Sequence, residues 1–170
     1  MARSDNLAHK LNYRLPRFRL CLVQEGDAQS RRVTICRPED AADLLKPLSH
    51  ASEEHFVALH LNAKHEVIGL HEVSHGTLSA SLVHPREVFK AALVANSFAI
   101  LVCHNHPSGS LLTPSQEDIE TTKQLVAAGK LLGVNVIDHL IVGPSRRKTN
   151  LYSFREHLPT LWNDCSSTSP

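Results

Sequence analysis

At 170 residues, 42% hydrophobic and 21% charged, the chain has the size and make-up of one folded domain, which excludes a fibrous or wholly disordered protein. A net charge of +1 excludes a global field that would draw nucleic acid or an acidic surface. Cys21, Cys36, Cys103 and Cys165 show no C-x-x-C spacing and no dense framework, so a reduced, cytoplasmic protein is expected.

Met1 to Asn12 is polar, lacks the apolar segment of a signal peptide and reads as a disordered start. No apolar run reaches membrane-spanning length. One domain is expected over 13–160, with an N-terminal hairpin and helix in 13–50, a core in 53–153, and a flexible tail from 161 to 170. Tyr13 to Glu25 alternates in strand fashion, Glu25-Gly26-Asp27 turns, and Arg32 to Cys36 supplies the second strand of a hairpin. The arginines here read as solvated strand faces, since no aromatic platform accompanies them. Pro38 opens a helix to about Lys46, stopped by Pro47.

Glu54 to Leu61 and Glu66 to Ser74 form a hairpin around Asn62-Ala63-Lys64. The second strand carries His71-Glu72-Val73-Ser74-His75, which fits H-E-x-x-H. That zinc motif works on a helix, where residues four apart share a face. Gly69 and Gly76 leave no room for one, and in a strand the two imidazoles stand about 13 Å apart, too far to share an ion. A polar-edged strand is the expected reading.

Pro85 begins a helix to about Asn96, burying Val88, Phe89, Ala92 and Leu93. Phe98 to Cys103 is a near-continuous apolar run, expected to be a central strand buried on both faces. It ends in His104-Asn105-His106-Pro107-Ser108-Gly109. Two residues apart on an extended chain, His104 and His106 project the same way from the strand end, while Cys103 faces the core. Pro114 opens the longest helix, to Leu132, with Thr113 and Gln116 as its capping box and Gly133 as its stop. Asp118 lies in its first turn. Two imidazoles and a carboxylate make three ligands with a fourth tetrahedral position free, the arrangement of a catalytic zinc site. Val134 to Val142 and Leu151 to Ser153 are the last strands, followed by a helical turn over Phe154 to His157. Strands interleaved with helices give an α/β or α+β domain.

Leu82-Val83-His84-Pro85-Arg86-Glu87-Val88-Phe89-Lys90, the His-Asn-His-Pro-Ser-Gly stretch, Thr113 to Asp118 and Asp138-His139-Leu140-Ile141-Val142-Gly143 together resemble the RadC family, a bacterial branch of the JAMM (JAB/MPN) metalloprotease superfamily. The resemblance runs from about Glu53 to Ser153. It implies a mixed sheet flanked by helices, a three-layer sandwich like that of cytidine deaminases. It implies a zinc-dependent hydrolase of peptide or isopeptide bonds acting on a peptide or protein substrate, with zinc held by His104, His106 and Asp118. By the same likeness Glu54 is the general base, with Glu53 beside it as fallback, and Ser115 steadies the oxyanion. The eight residues between His106 and Ser115 leave open whether Ser115 or Ser108 faces the substrate. His139 either orients a ligand or is simply packed. The chain would be a short form without the family's N-terminal helix-hairpin-helix region, so nucleic acid is not an expected partner; a homodimer is left open. The alternative is a non-catalytic, metal-stabilised module associated with protein or DNA, linked to repair by the family's name alone.

Overall fold

The structure is a computed structural model that describes residues 20–23, 25, 33–76, 83–107, 112–144 and 150–163. Its strands are β1 (His55–Leu61), β2 (Val67–His75), β3 (Ala99–Asn105), β4 (Asn135–Gly143) and β5 (Asn150–Ser153). Its α-helices are α1 (Pro38–Leu44), α2 (Pro85–Val94), α3 (Gln116–Leu132) and α4 (Phe154–His157). The strands form one mixed sheet in the order β2-β1-β3-β4-β5. Only β3 and β4 run parallel; the other neighbours are antiparallel.

Alternation along the strands divides the core in two. Phe56, Ala58, Ile100, Val102 and Ile141 face one side, where Val88, Phe89 and Ala92 of α2 and Leu125 and Val126 of α3 cover them. Val57, Leu59, Leu101, Cys103 and Leu140 face the other, against Ala41 and Ala42 of α1. Every residue of β3 is buried, as its unbroken apolar run requires. Helices on both faces of a mixed sheet make the expected α/β three-layer sandwich. Among the described residues no helix is long and apolar enough to cross a membrane.

Several boundaries differ from the sequence expectation. The first strand of the N-terminal hairpin lies mostly outside the described residues, and residues 20–23 are in no strand. Its expected partner pairs elsewhere: Thr34 makes an isolated antiparallel bridge to Glu66, flanked by Ile35 N–H donating to His65 O at 2.9 Å. The helix opened by Pro38 ends at Leu44, and Pro47 stands in the first turn of a separate 3₁₀ segment, Lys46–His50. Proline is tolerated there because a first-turn N–H has no intrahelical partner anyway. The cap of α3 is Ser115 with Asp118, not Thr113 with Gln116. Its C-terminus is as expected, with Gly133 left-handed at φ 70°.

At the other end Leu161 and Trp162, assigned to the tail from sequence, are buried in the α2/α3 core, so the packed chain runs on to Trp162. Trp162 Nε1–H donates to Val136 O at 2.6 Å, while the Arg155 guanidinium lies 5.0 Å over its ring. The assignment of 166–170 as disordered lies outside the described residues.

Candidate metal centre

Four element ends meet at one rim of the sheet. β3 arrives with its C-terminus, antiparallel β1 with its N-terminus, β2 with its C-terminus, and α3 approaches with its N-terminus. The pairing of Phe56 with His104 aligns the first two. β3 continues two residues beyond its apolar run, so His104 and Asn105 still belong to the strand.

Three side chains converge there. His104 Nε2 lies 3.1 Å from His106 Nε2 and 3.4 Å from Asp118 Oδ1, and His106 Nε2 lies 3.9 Å from Asp118 Oδ2. Ligand atoms bonded to one zinc at tetrahedral angles stand roughly 3.3 Å apart. The set therefore matches one small ion, and among the described residues it is the one group of three or more metal-type donors whose ligand atoms gather this closely. Burial differs across it: the His104 and Asp118 side chains are 1% and 4% exposed, His106 22%. The approach from solvent is on the His106 side.

The chemistry of the donors also suits a cation. Thr122, one helical turn after Asp118, donates its single hydroxyl proton to Asp118 O at 2.6 Å. Its contact with His139 Nδ1 at 2.7 Å must then be an N–H donated by the ring. With that proton on Nδ1, neutral His139 accepts at Nε2, and His104 Nδ1–H donates to it at 2.8 Å. The His104 Nε2 lone pair is thereby left bare and aimed at Asp118 and His106. Burial keeps both rings neutral: it pushes His104 down to about 4, against the opposing charge of Asp118, and His139 well below its ordinary value. Of the two roles left open for His139, the hydrogen bonds support orientation of a ligand, within a ring stack on Phe154 with centroids 4.5 Å apart. Thr122→Val is expected to weaken zinc binding about 10- to 100-fold, measured by chelator competition.

Asp118 is held as firmly. At the third position of α3 its Oδ2 accepts from Ser115 N–H and Ser115 Oγ–H, both at 2.8 Å, and Ser115 Oγ accepts from Asp118 N–H at 3.1 Å. This capping box leaves Oδ1 turned to His104. Ser115 is itself exposed and beside the ligands. Ser108 lies outside the described residues.

Glu54 immediately precedes β1, and continuing the strand's alternation places it on the face of Phe56 and His104. Its carboxyl is pushed up by burial and by the Asp118 charge, and held down by His106. It thus lies within electrostatic reach of both ligands. Glu53 alternates to the opposite face and offers its carbonyl to Asn105 instead. The second zinc motif does not assemble. His71 and His75 sit in β2, His71 near His60 with ring centroids 6.2 Å apart and His75 near His55 at 6.0 Å. Glu72 lies between His55 Nδ1 at 2.9 Å and His75 Nδ1 at 3.4 Å. Asp138 is structural: it accepts from His139 N–H, Ser153 Oγ–H and Arg155 N–H, tying α4 to β4.

Sequence reasoning missed Thr122 and Asn105. The spacing of Thr122 four residues after Asp118 is the one local signal for the first; position between the two ligand histidines is the signal for the second.

A mixed-sheet α/β sandwich with a largely buried His-His-Asp donor set at its rim, open on the His106 side, defines a candidate metal-centre domain. Residues 35–159 match the RadC-like JAB domain, and the chain belongs to that family. It is 49% identical over 135 residues to UPF0758 protein STH371 of Symbiobacterium thermophilum, covering 79% of this chain and 56% of that one. It is also 46% identical over 129 residues to UPF0758 protein TTE0897 of Caldanaerobacter subterraneus, covering 75% and 53%. For UPF0758 protein SH1266 of Staphylococcus haemolyticus the identity is 48% over 118 residues, covering 69% and 51%. The chain thus spans about half the length of these curated relatives.

Proposed function

We propose that the chain is a zinc-dependent hydrolase of peptide or isopeptide bonds, with His104, His106 and Asp118 as ligands, Glu54 as general base and Ser115 as oxyanion donor. One observation carries the reading: three donor atoms gather at a single point, His104 and Asp118 oriented there by their hydrogen bonds, with a carboxylate from the facing strand end in their field. Membership of the RadC-like JAB family supports it. The mixed nitrogen and oxygen donors favour zinc over magnesium or calcium. When bound, zinc would supply Lewis acidity and bring the pKa of water towards 7.

The chain's own residues would do the rest. Glu54 takes the proton of the attacking water and returns it to the leaving amine; its raised pKa brings the carboxyl closer to a working match with that exchange. Ser115 Oγ–H can rotate from Asp118 Oδ2 towards a substrate oxygen at the N-terminal end of α3. A substrate would approach from the His106 side, since the His104 and Asp118 side chains are enclosed. Free Cys21, Cys36 and Cys103 support a cytoplasmic setting.

The test is cleavage of a fluorogenic library of peptide- and isopeptide-linked substrates in the presence of zinc. Glu54→Gln is expected to keep the metal and lose about 10²- to 10⁴-fold in rate. Equal rates would remove Glu54 from the mechanism. A zinc-loaded wild type that cleaves nothing would leave only the metal-stabilised module.

A further inference from the structure

The residue between the two ligand histidines has no ligand role, because alternation turns Asn105 to the face opposite His104. It is nevertheless wholly buried. A buried primary amide must satisfy a carbonyl oxygen and an NH₂ group, and its partners therefore say what it holds. Asn105 Oδ1 accepts from His55 N–H at 2.7 Å, and Asn105 Nδ2 donates to Glu53 O at 2.9 Å. Those are the two peptide groups on either side of Glu54. One side-chain amide thus brackets the Cα of Glu54 and substitutes for a ladder partner just where the β1–β3 pairing ends.

The opposite edge is closed too. Glu54 O accepts from Gly76 N–H at 3.0 Å, just past the end of β2. Gly76 has φ +101°, a conformation side chains other than glycine's rarely adopt. Glu54 is therefore gripped from β3 on one side and from β2 on the other, although it stands outside the regular strand. A residue at a fraying strand end would otherwise sample several backbone conformations.

We propose that Asn105 is a positioning residue for Glu54: by hydrogen-bonding both flanking peptide groups it aims the carboxylate over the His104–His106–Asp118 point. The proposal rests on Glu54 being the general base. It adds that the His-Asn-His segment orients both halves of the machinery, the imidazoles through its outer residues and the base through its middle one. A misplacement of about 1 Å in such a group costs on the order of 100-fold in rate.

The test compares wild type, Asn105→Ala, Asn105→Ser, Glu54→Gln and Glu54→Gln/Asn105→Ala. Amide hydrogen exchange followed by NMR reads the bracket without any activity. The wild-type His55 amide is expected to be protected, and to exchange about tenfold faster in Asn105→Ala, with Leu59 and Leu101 unchanged and zinc content kept. On a substrate found above, Asn105→Ala should lower kcat about 10- to 100-fold with KM unchanged, and should cost nothing further in the Glu54→Gln background. Asn105→Ser, whose hydroxyl is too short to span both peptide groups, serves if the alanine variant does not fold. An unprotected His55 amide in the wild type, protection that survives Asn105→Ala, or a further loss in the double variant would each overturn the proposal. Protection lost with no substrate ever cleaved would instead retain the bracket and reject the hydrolase reading.

Discussion

Purified protein equilibrated with trace zinc is expected to hold about one ion per chain, and His106→Ala to hold almost none. The geometry explains why this one substitution suffices. His104 and Asp118 are nearly enclosed, while His106 is the donor on the open side. Removing it leaves two ligands and a gap facing water, and a site of two donors retains a divalent ion weakly. The substitution is also the gentlest for the fold, because His106 is the least buried of the three. His104→Ala would instead cut the hydrogen-bond chain to His139 and leave its buried Nε2 without that partner. Elemental analysis of both proteins, with circular dichroism to confirm folding, reads the result. Equal zinc in wild type and His106→Ala would refute the ligand assignment.

Acid is expected to unfold the metal-free protein well before ordinary carboxylate titration is complete. His60 is buried in β1, with Nδ1 on Ser97 Oγ at 3.0 Å and Nε2 without a partner among the described residues. Burial, and then the neighbouring His71, hold it down from 6.5 to about 4. His71 is itself lowered, by burial and Lys90 against the opposing charge of Glu87. Between those two pH values the unfolded chain binds a proton that the folded chain refuses, so stability rises with pH across that window. The contribution is complete above about 6.5 and is lost as pH falls to about 4, some ~3 kcal/mol for His60 alone. His104 and His139 act with the same sign. Against a typical domain stability of about 5–15 kcal/mol, a loss of this size is a large fraction of the whole. Urea titrations at pH 7 and pH 4.5 measure the loss. His60→Asn, which keeps a group able to meet Ser97 but cannot titrate, should reduce the slope by about 1.4 kcal/mol per pH unit; an unchanged slope would sink this account.

Features that depend on neighbours in the chain were legible without the fold. The burial of β3 follows from its five consecutive apolar residues, Ala99 to Cys103, although Phe98 before them is half exposed, and the shared direction of His104 and His106 follows from a period of two. Gly69 and Gly76 showed that His71 to His75 is strand rather than helix. Pro85 and Gly133 marked two helix ends because their effect on the backbone is their own. Glu54 was different: nothing local separates it from Glu53, and likeness to the RadC family alone singled it out.

What the tertiary structure decided are the contacts that cross the chain. The sequence pointed to Thr113 and Gln116 as the capping box of α3, and the structure caps the helix with Ser115 and Asp118 instead. The Asp118 carboxylate accepts from both the N–H and the hydroxyl of Ser115, a pairing that closes the first turn of the helix. Trp162 looked like part of a polar tail until its ring found the core beneath α3 and its N–H found Val136. Asn105 meets His55 across 50 residues of sequence, and His104 meets His139 across 35. A hydrogen bond requires atoms within about 3 Å in the correct orientation. Composition and periodicity fix which face a residue points to, but only the packed sheet fixes what stands opposite it.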